Sequence, residues 1–100
     1  MFVILTSKPG KFHTHLGNGL RPVETWDYSS QGMKRAEFTI AEITGQPRVT
    51  IVEDSEPRVV NSIPSKLLPR FVTVERARRE LELLANGALG YQLELRLPRG

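Results

Sequence analysis

Residues 73–97 constrain the fold most, because their hydrophobic period switches from helical to strand-like within one short stretch. Val74, Ala77, Leu81, Leu84 and Ala85 recur at helical spacing, while Glu75, Arg76, Arg78, Arg79, Glu80 and Glu82 fill the remaining circumference. Thr73 can accept a hydrogen bond from an unpaired N–H of the first turn, Glu75 places negative charge at the positive end of the helix dipole, and Asn86-Gly87 supplies a left-handed stop. The pattern predicts a helix over 73–86 with one buried stripe. Its other face balances three Arg against three Glu, and the pairs Glu75–Arg79, Arg76–Glu80 and Arg78–Glu82 would each add about 0.2–0.5 kcal/mol at best. Beyond the stop, Tyr91, Leu93, Leu95 and Leu97 alternate with Gln92, Glu94 and Arg96, the period of a strand with one face on a core.

One hundred residues suffice for a single domain, 1–100. The chain has no cysteine, which excludes disulfides, thiolate zinc sites, cysteine nucleophiles and cysteine-ligated iron–sulfur clusters. The early apolar run, residues 1–5, is too short for a membrane span or a signal-peptide core, so a cytoplasmic location is expected. The net charge of +3 is unevenly spread. Residues 1–35 carry +3, 36–57 carry −4, 58–72 carry +3 and 73–100 carry +1. Such a two-signed surface fits protein partners at least as well as phosphates.

Phe2-Val3-Ile4-Leu5-Thr6 is apolar at consecutive positions and closed by Lys8-Pro9-Gly10, which predicts a central strand covered on both faces. Residues 10–22, with three Gly, look the least ordered; Asn18-Gly19 favours a tight turn. A strand over 23–28 would put Trp26 and Tyr28 on one face, and Ser29-Ser30-Gln31-Gly32 turns the chain. In residues 36–43 Phe38 and Ile40 alternate in one phase and Ala41 and Ile43 in the other, as in a bulged strand or one lying between two covering surfaces. Gly45-Gln46-Pro47 leads to Arg48-Val49-Thr50-Ile51-Val52, predicted to pair back as a hairpin. A short strand at 58–60 and a helical turn opened by Pro64 complete the pattern.

The chemical constellations are sparse. His13-Thr14-His15 sets two imidazoles on one side of an extended segment, but a metal site needs a third ligand such as Asp27 or Glu24. Glu53, Asp54 and Glu56 lack the spacing of a calcium loop. Gly17-Asn18-Gly19 has Pro22 where a dinucleotide fingerprint needs glycine. Ser62 and Ser65 do not stand in serine-x-x-lysine register with Lys66. No catalytic residue, metal or cofactor is therefore expected. Two surfaces are candidates for recognition. Arg21, Trp26, Tyr28, Lys34 and Arg35 combine aromatic and cationic side chains, as base-stacking platforms and protein hot spots both do, although a lone tryptophan also serves as core. Residues 61–71 add Lys66 and Arg70 to apolar bulk, or simply pack one end of the core.

The opening Met1-Phe2-Val3-Ile4-Leu5-Thr6-Ser7-Lys8-Pro9-Gly10, Trp26-Asp27-Tyr28, Val60-Asn61 with Pro64-Ser65-Lys66, and Ala77-Arg78-Arg79-Glu80-Leu81 resemble a group of short bacterial proteins, some labelled ferredoxin-like or associated with aromatic-ring oxygenase gene sets. The resemblance implies an accessory protein. It transfers no active residues, and a chain without thiols cannot hold a ferredoxin cluster.

The expected fold is α+β, a mainly antiparallel twisted sheet of about five or six strands with one principal C-terminal helix packed on it. The expected core is Val3, Leu5, Phe38, Ile40, Val49, Ile51, Val74, Ala77, Leu81, Leu84, Tyr91, Leu93 and Leu95. The expected function is a non-catalytic accessory or protein-binding module acting on a larger partner, without a redox centre of its own. A nucleic-acid-binding domain and a small-molecule-binding protein or enzyme with a site assembled from distant residues are the alternatives. An exposed edge strand would also permit a homodimer, unless charges such as Arg58 and Glu94 blunt it.

Overall fold

A computed structural model describes residues 1–85 and 91–96. It is an α+β fold of three layers: one helix, a four-stranded sheet and a three-stranded sheet. In chain order the elements are β1 (Phe2–Ser7), β2 (Phe12–His15), β3 (Leu20–Ser30), β4 (Met33–Ile43), β5 (Arg48–Glu53), β6 (Val60–Pro64), a 3-10 turn (Ser65–Leu67), α1 (Val74–Ala85) and β7 (Tyr91–Arg96). The larger sheet runs β1-β4-β3-β7 and the smaller β2-β5-β6, with every pairing antiparallel.

Among the described residues, seven strands in two sheets replace the single sheet of about five or six strands expected from the sequence, and the helix is followed by β7 rather than standing at the C-terminal end. The long β3–β4 hairpin turns at Gln31-Gly32, whose φ angles of 54° and 74° are the left-handed pair that a two-residue hairpin turn requires. The predicted β4–β5 hairpin does not form. Ala41 and Ile43 already face the second sheet, so the chain leaves the first sheet after Ile43 and β5 opens the opposing one. Gly19 locks this crossover: its carbonyl accepts from the Thr44 N–H at 2.9 Å, φ is +84°, and a Cβ there would stand 3.0 Å from the Thr44 oxygen. β2 lies in the glycine-rich stretch read as least ordered, because only Phe12 and Thr14 turn inward and pairing with β5 supplies what the local pattern lacks. β6 likewise begins at Val60, two residues later than expected.

Alternation sorts the side chains of the central sheet. Ile40 faces α1 and joins Ala77 and Leu81, with Phe2, Ile4, Trp26, Phe38, Phe71, Val74 and Leu93 packed around them. On the other face Val3, Leu5, Leu20, Ala41, Ile43 and Val49 fill the space between the sheets. β4 therefore does lie between two covering surfaces. β1 is covered on both faces as expected, yet it is an edge strand by hydrogen bonding. Its open side is closed by reciprocal 2.8 Å bonds between Phe2 and Phe71, by a Lys8–Phe12 bridge, and by Thr14, whose N–H donates to Ser7 Oγ at 2.9 Å. Such closure removes a template for edge pairing.

Two expected core residues are exposed, Leu84 at 57% and Leu95 at 39%, and four unexpected ones, Leu20, Ala36, Ala41 and Ile43, are buried. Leu84 sits at the margin of the helical stripe that Val74, Ala77, Leu81 and Ala85 centre, and so falls beyond the contact with the sheet. The Asn86-Gly87 stop, Leu97 and the side chain of Tyr91 lie outside the described residues. At the other end of the helix Thr73 caps as predicted, its Oγ1 accepting from the Arg76 N–H at 3.1 Å. Thr73→Ala is expected to lower stability by about 1 kcal/mol in urea unfolding, and Thr73→Ser to restore it.

Candidate functional site

The seven predicted binding residues do not converge on one surface. Arg21 pairs with Glu42 directly across β3–β4 at 2.8 Å. Trp26 belongs to the core under α1, and its Nε1 donates to Glu24 Oε1 at 3.1 Å. Lys66 in the 3-10 turn and Arg70 ahead of Phe71 are exposed. Only Tyr28 and Arg35 come together.

Lys34 and Arg35 are separated by a bulge. Tyr28 stands opposite Ala36, whereas Ser29 stands opposite Lys34, so Arg35 is the extra residue. A bulge re-aims the side chain it inserts. Lys34 therefore faces the side of the sheet opposite α1, 3.1 Å from Asp27 and 3.0 Å from Glu37. Arg96 joins them, 2.6 Å from Asp27 and 2.8 Å from Glu37. Burial alone would raise the Asp27 carboxyl, but hydrogen bonds from Arg96 and Lys34 outweigh it and hold it below its ordinary value. This quartet ties β3, β4 and β7 together and is itself neutral.

On the α1 side, the carboxylate of Glu24 receives Arg78 at both oxygens, its Nε at 2.8 Å, besides the Trp26 indole. The Arg78 hydrogen bonds hold Glu24 below its ordinary pKa despite burial. Arg78, read from the sequence as part of the solvated face, instead fastens α1 to β3. The imidazole of His13 is bound through Nδ1 to Asp54 Oδ1 at 2.8 Å, while Glu24 and Asp27, on β3 of the other sheet, are engaged by Arg78 of α1 and Arg96 of β7. Among the described residues no group of three or more His, Asp or Glu is placed to hold a metal ion.

Two grooves are lined by cations that have no acidic partner among the described residues. One lies on the outside of α1. Arg76, Arg79, Glu80 and Leu83 recur at i, i+3, i+4 and i+7, opposite the buried stripe, and with Phe71 they line a shallow groove of about 330 Å³. Leu83 is 64% exposed, and Val72, beside Phe71 in the chain, 65%. The other is a groove of about 470 Å³ at the end of the central sheet, where Tyr28, Phe38 and Leu84 form apolar walls below Lys8 and Arg35. Leu83 and Leu84 in tandem, more than one stripe can bury, were the signal in the sequence for these surfaces. Nothing local indicated the bulge at Arg35.

Among the described residues no helix is long and apolar enough to cross a membrane. No family model, no curated protein and no solved structure matches the chain.

Proposed function

We propose that this domain is a non-catalytic, cytoplasmic binding module that docks on a larger protein through the outside of α1. One observation carries the reading: Leu83, 64% exposed, lines a groove with Arg76 and Arg79 on the side of the helix opposite the buried Ala77 and Leu81. An exposed apolar anchor beside two arginines and one glutamate, the arginines without an ion-pair partner among the described residues, has the composition of a protein hot spot and fits a partner segment of net negative charge with an apolar side chain at its centre. The accessory role implied by the resemblance, serving a larger oxygenase-type protein without a redox centre in this chain, is the setting of the proposal. The nucleic-acid reading is less well supported, because Arg21 and Lys34 are held by carboxylates and Trp26 packs in the core.

Affinity purification from the native host tests this when run in parallel on wild type, Leu83→Asp and the double variant Arg76→Glu/Arg79→Glu. Wild type is expected to retain one stoichiometric protein at low salt, cross-linked to α1, and both variants to lose it with melting midpoints unchanged. Retention by the variants, or retention of single-stranded nucleic acid in place of a protein, would refute the reading.

A further inference from the structure

The groove at the end of the central sheet shares no residue with the α1 surface, and its construction points to a different ligand. Its interior follows from strand register. Thr6 pairs with Phe38 and Tyr28 with Ala36, so side chains from β1, β4 and β3 share the face that carries α1. Ala36 is small and buried, which leaves a depression between its neighbours. The Phe38 and Tyr28 rings meet edge to face, with centroids 5.7 Å apart and planes at 67°. Leu84 of the last turn of α1, 57% exposed, supplies a further wall.

The rim is cationic by construction. Strict alternation would have set Arg35 on the opposite face beside Glu37; the bulge turns it into the groove. Lys8, in the turn after β1, stands at the same groove. Among the described residues neither cation has a carboxylate within ion-pair distance and no acidic residue lines the groove. Adjacent Lys34, by contrast, is neutralised twice.

We infer that this groove binds a small aromatic carboxylate, its ring packed against Phe38, Tyr28 and Leu84 and its carboxylate held by Arg35 and Lys8. Aromatic side chains favour edge-on or offset contact with a planar ring, and a guanidinium engages a carboxylate through two parallel N–H donors. The volume lies within the range of small-molecule sites, and a pocket of apolar walls with a few convergent polar groups is their usual composition.

The probe is naphthoate, with the neutral naphthamide as its control, titrated into the full chain and followed by backbone amide chemical shifts. Saturable binding with a Kd on the order of 10⁻⁴–10⁻³ M is expected for a ligand of this size. The shifts should centre on Lys8, Arg35, Ala36 and Phe38. The amide should bind about tenfold more weakly, Arg35→Gln should weaken naphthoate by about tenfold, and Lys34→Gln on the opposite face should leave its Kd unchanged. Should Arg35→Gln fail to fold by circular dichroism, Lys8→Gln, an exposed turn position, carries the same test. Equal affinity for amide and carboxylate, no saturable change at the solubility limit, or shifts centred on residues 76–83 would overturn the assignment. Since Lys8 and Arg35 take no part in the α1 surface, loss of naphthoate binding leaves partner capture through Leu83 to stand or fall separately.

Discussion

Leu81→Ala is expected to cost about 2–5 kcal/mol of folding stability, a large share of what a domain of this size has. Leu81 is 1% exposed and packs with Ile40 and Ala77 at the centre of the helix–sheet contact. Removing its isobutyl group opens a void against Ile40 of β4, a strand paired on both sides that cannot close in to fill it. For about 100 residues, 1 kcal/mol corresponds to about 4–8 °C in melting midpoint, so calorimetry should register a fall of about 8 °C or more. Leu84→Ala, three residues on but exposed, is the control, with an expected change within about 0.5 kcal/mol. Equal effects at the two positions would refute the helix register.

Glu24→Ala is expected to give the second large effect, about 1–2 kcal/mol. It leaves the Trp26 indole without its acceptor and removes the clamp that joins β3 to α1. Solvent screening at the partly exposed Arg78 keeps the loss small for a charged hydrogen bond. Trp26 is the only tryptophan, so its emission should report the loss directly. The same carboxylate makes the fold acid-sensitive. Glu24 and Asp27 bind protons less readily in the folded chain than at their ordinary values of 4.5 and 3.8. Their stabilisation is therefore complete above those values and is lost as pH falls through the lowered folded ones. Urea unfolding between neutral pH and pH of about 3 should show stability falling with acid, and Glu24→Gln should flatten that slope while lowering the neutral-pH plateau. An acid slope identical in wild type and variant would show that Glu24 is not held below its ordinary value.

The parts of this fold legible beforehand are those whose physics is local. Thr73 caps because a hydroxyl at that position meets the third N–H of its own helix, and Ala77 and Leu81 are buried, with Val74 half-buried beside them, because helical geometry sets them in one stripe. The antiparallel β3–β4 hairpin follows from Gln31-Gly32, which tolerates the left-handed angles the turn needs. The double phase of Ile40 and Ala41 is compatible with a bulge or with two covering surfaces; the fold supplies the second, one surface being α1 and the other a second sheet. β2 was invisible because its inward residues, Phe12 and Thr14, acquire meaning only against β5, residues 48–53 of the same chain.

The candidate sites divide in the same way. Tyr28 and Arg35 were identified by residue type, but so were Arg21, Trp26 and Lys34, which the fold commits to other tasks. Composition determined that the chain has no thiol chemistry and a surface of both signs, since these depend only on which residues are present. Which cations stay free was decided by tertiary structure, because an ion pair depends on distance and distance on strand register. The one-residue bulge that sends Lys34 to Asp27 and Glu37 and Arg35 into the groove is set by pairing between strands, so two neighbouring positions of like charge acquire opposite roles.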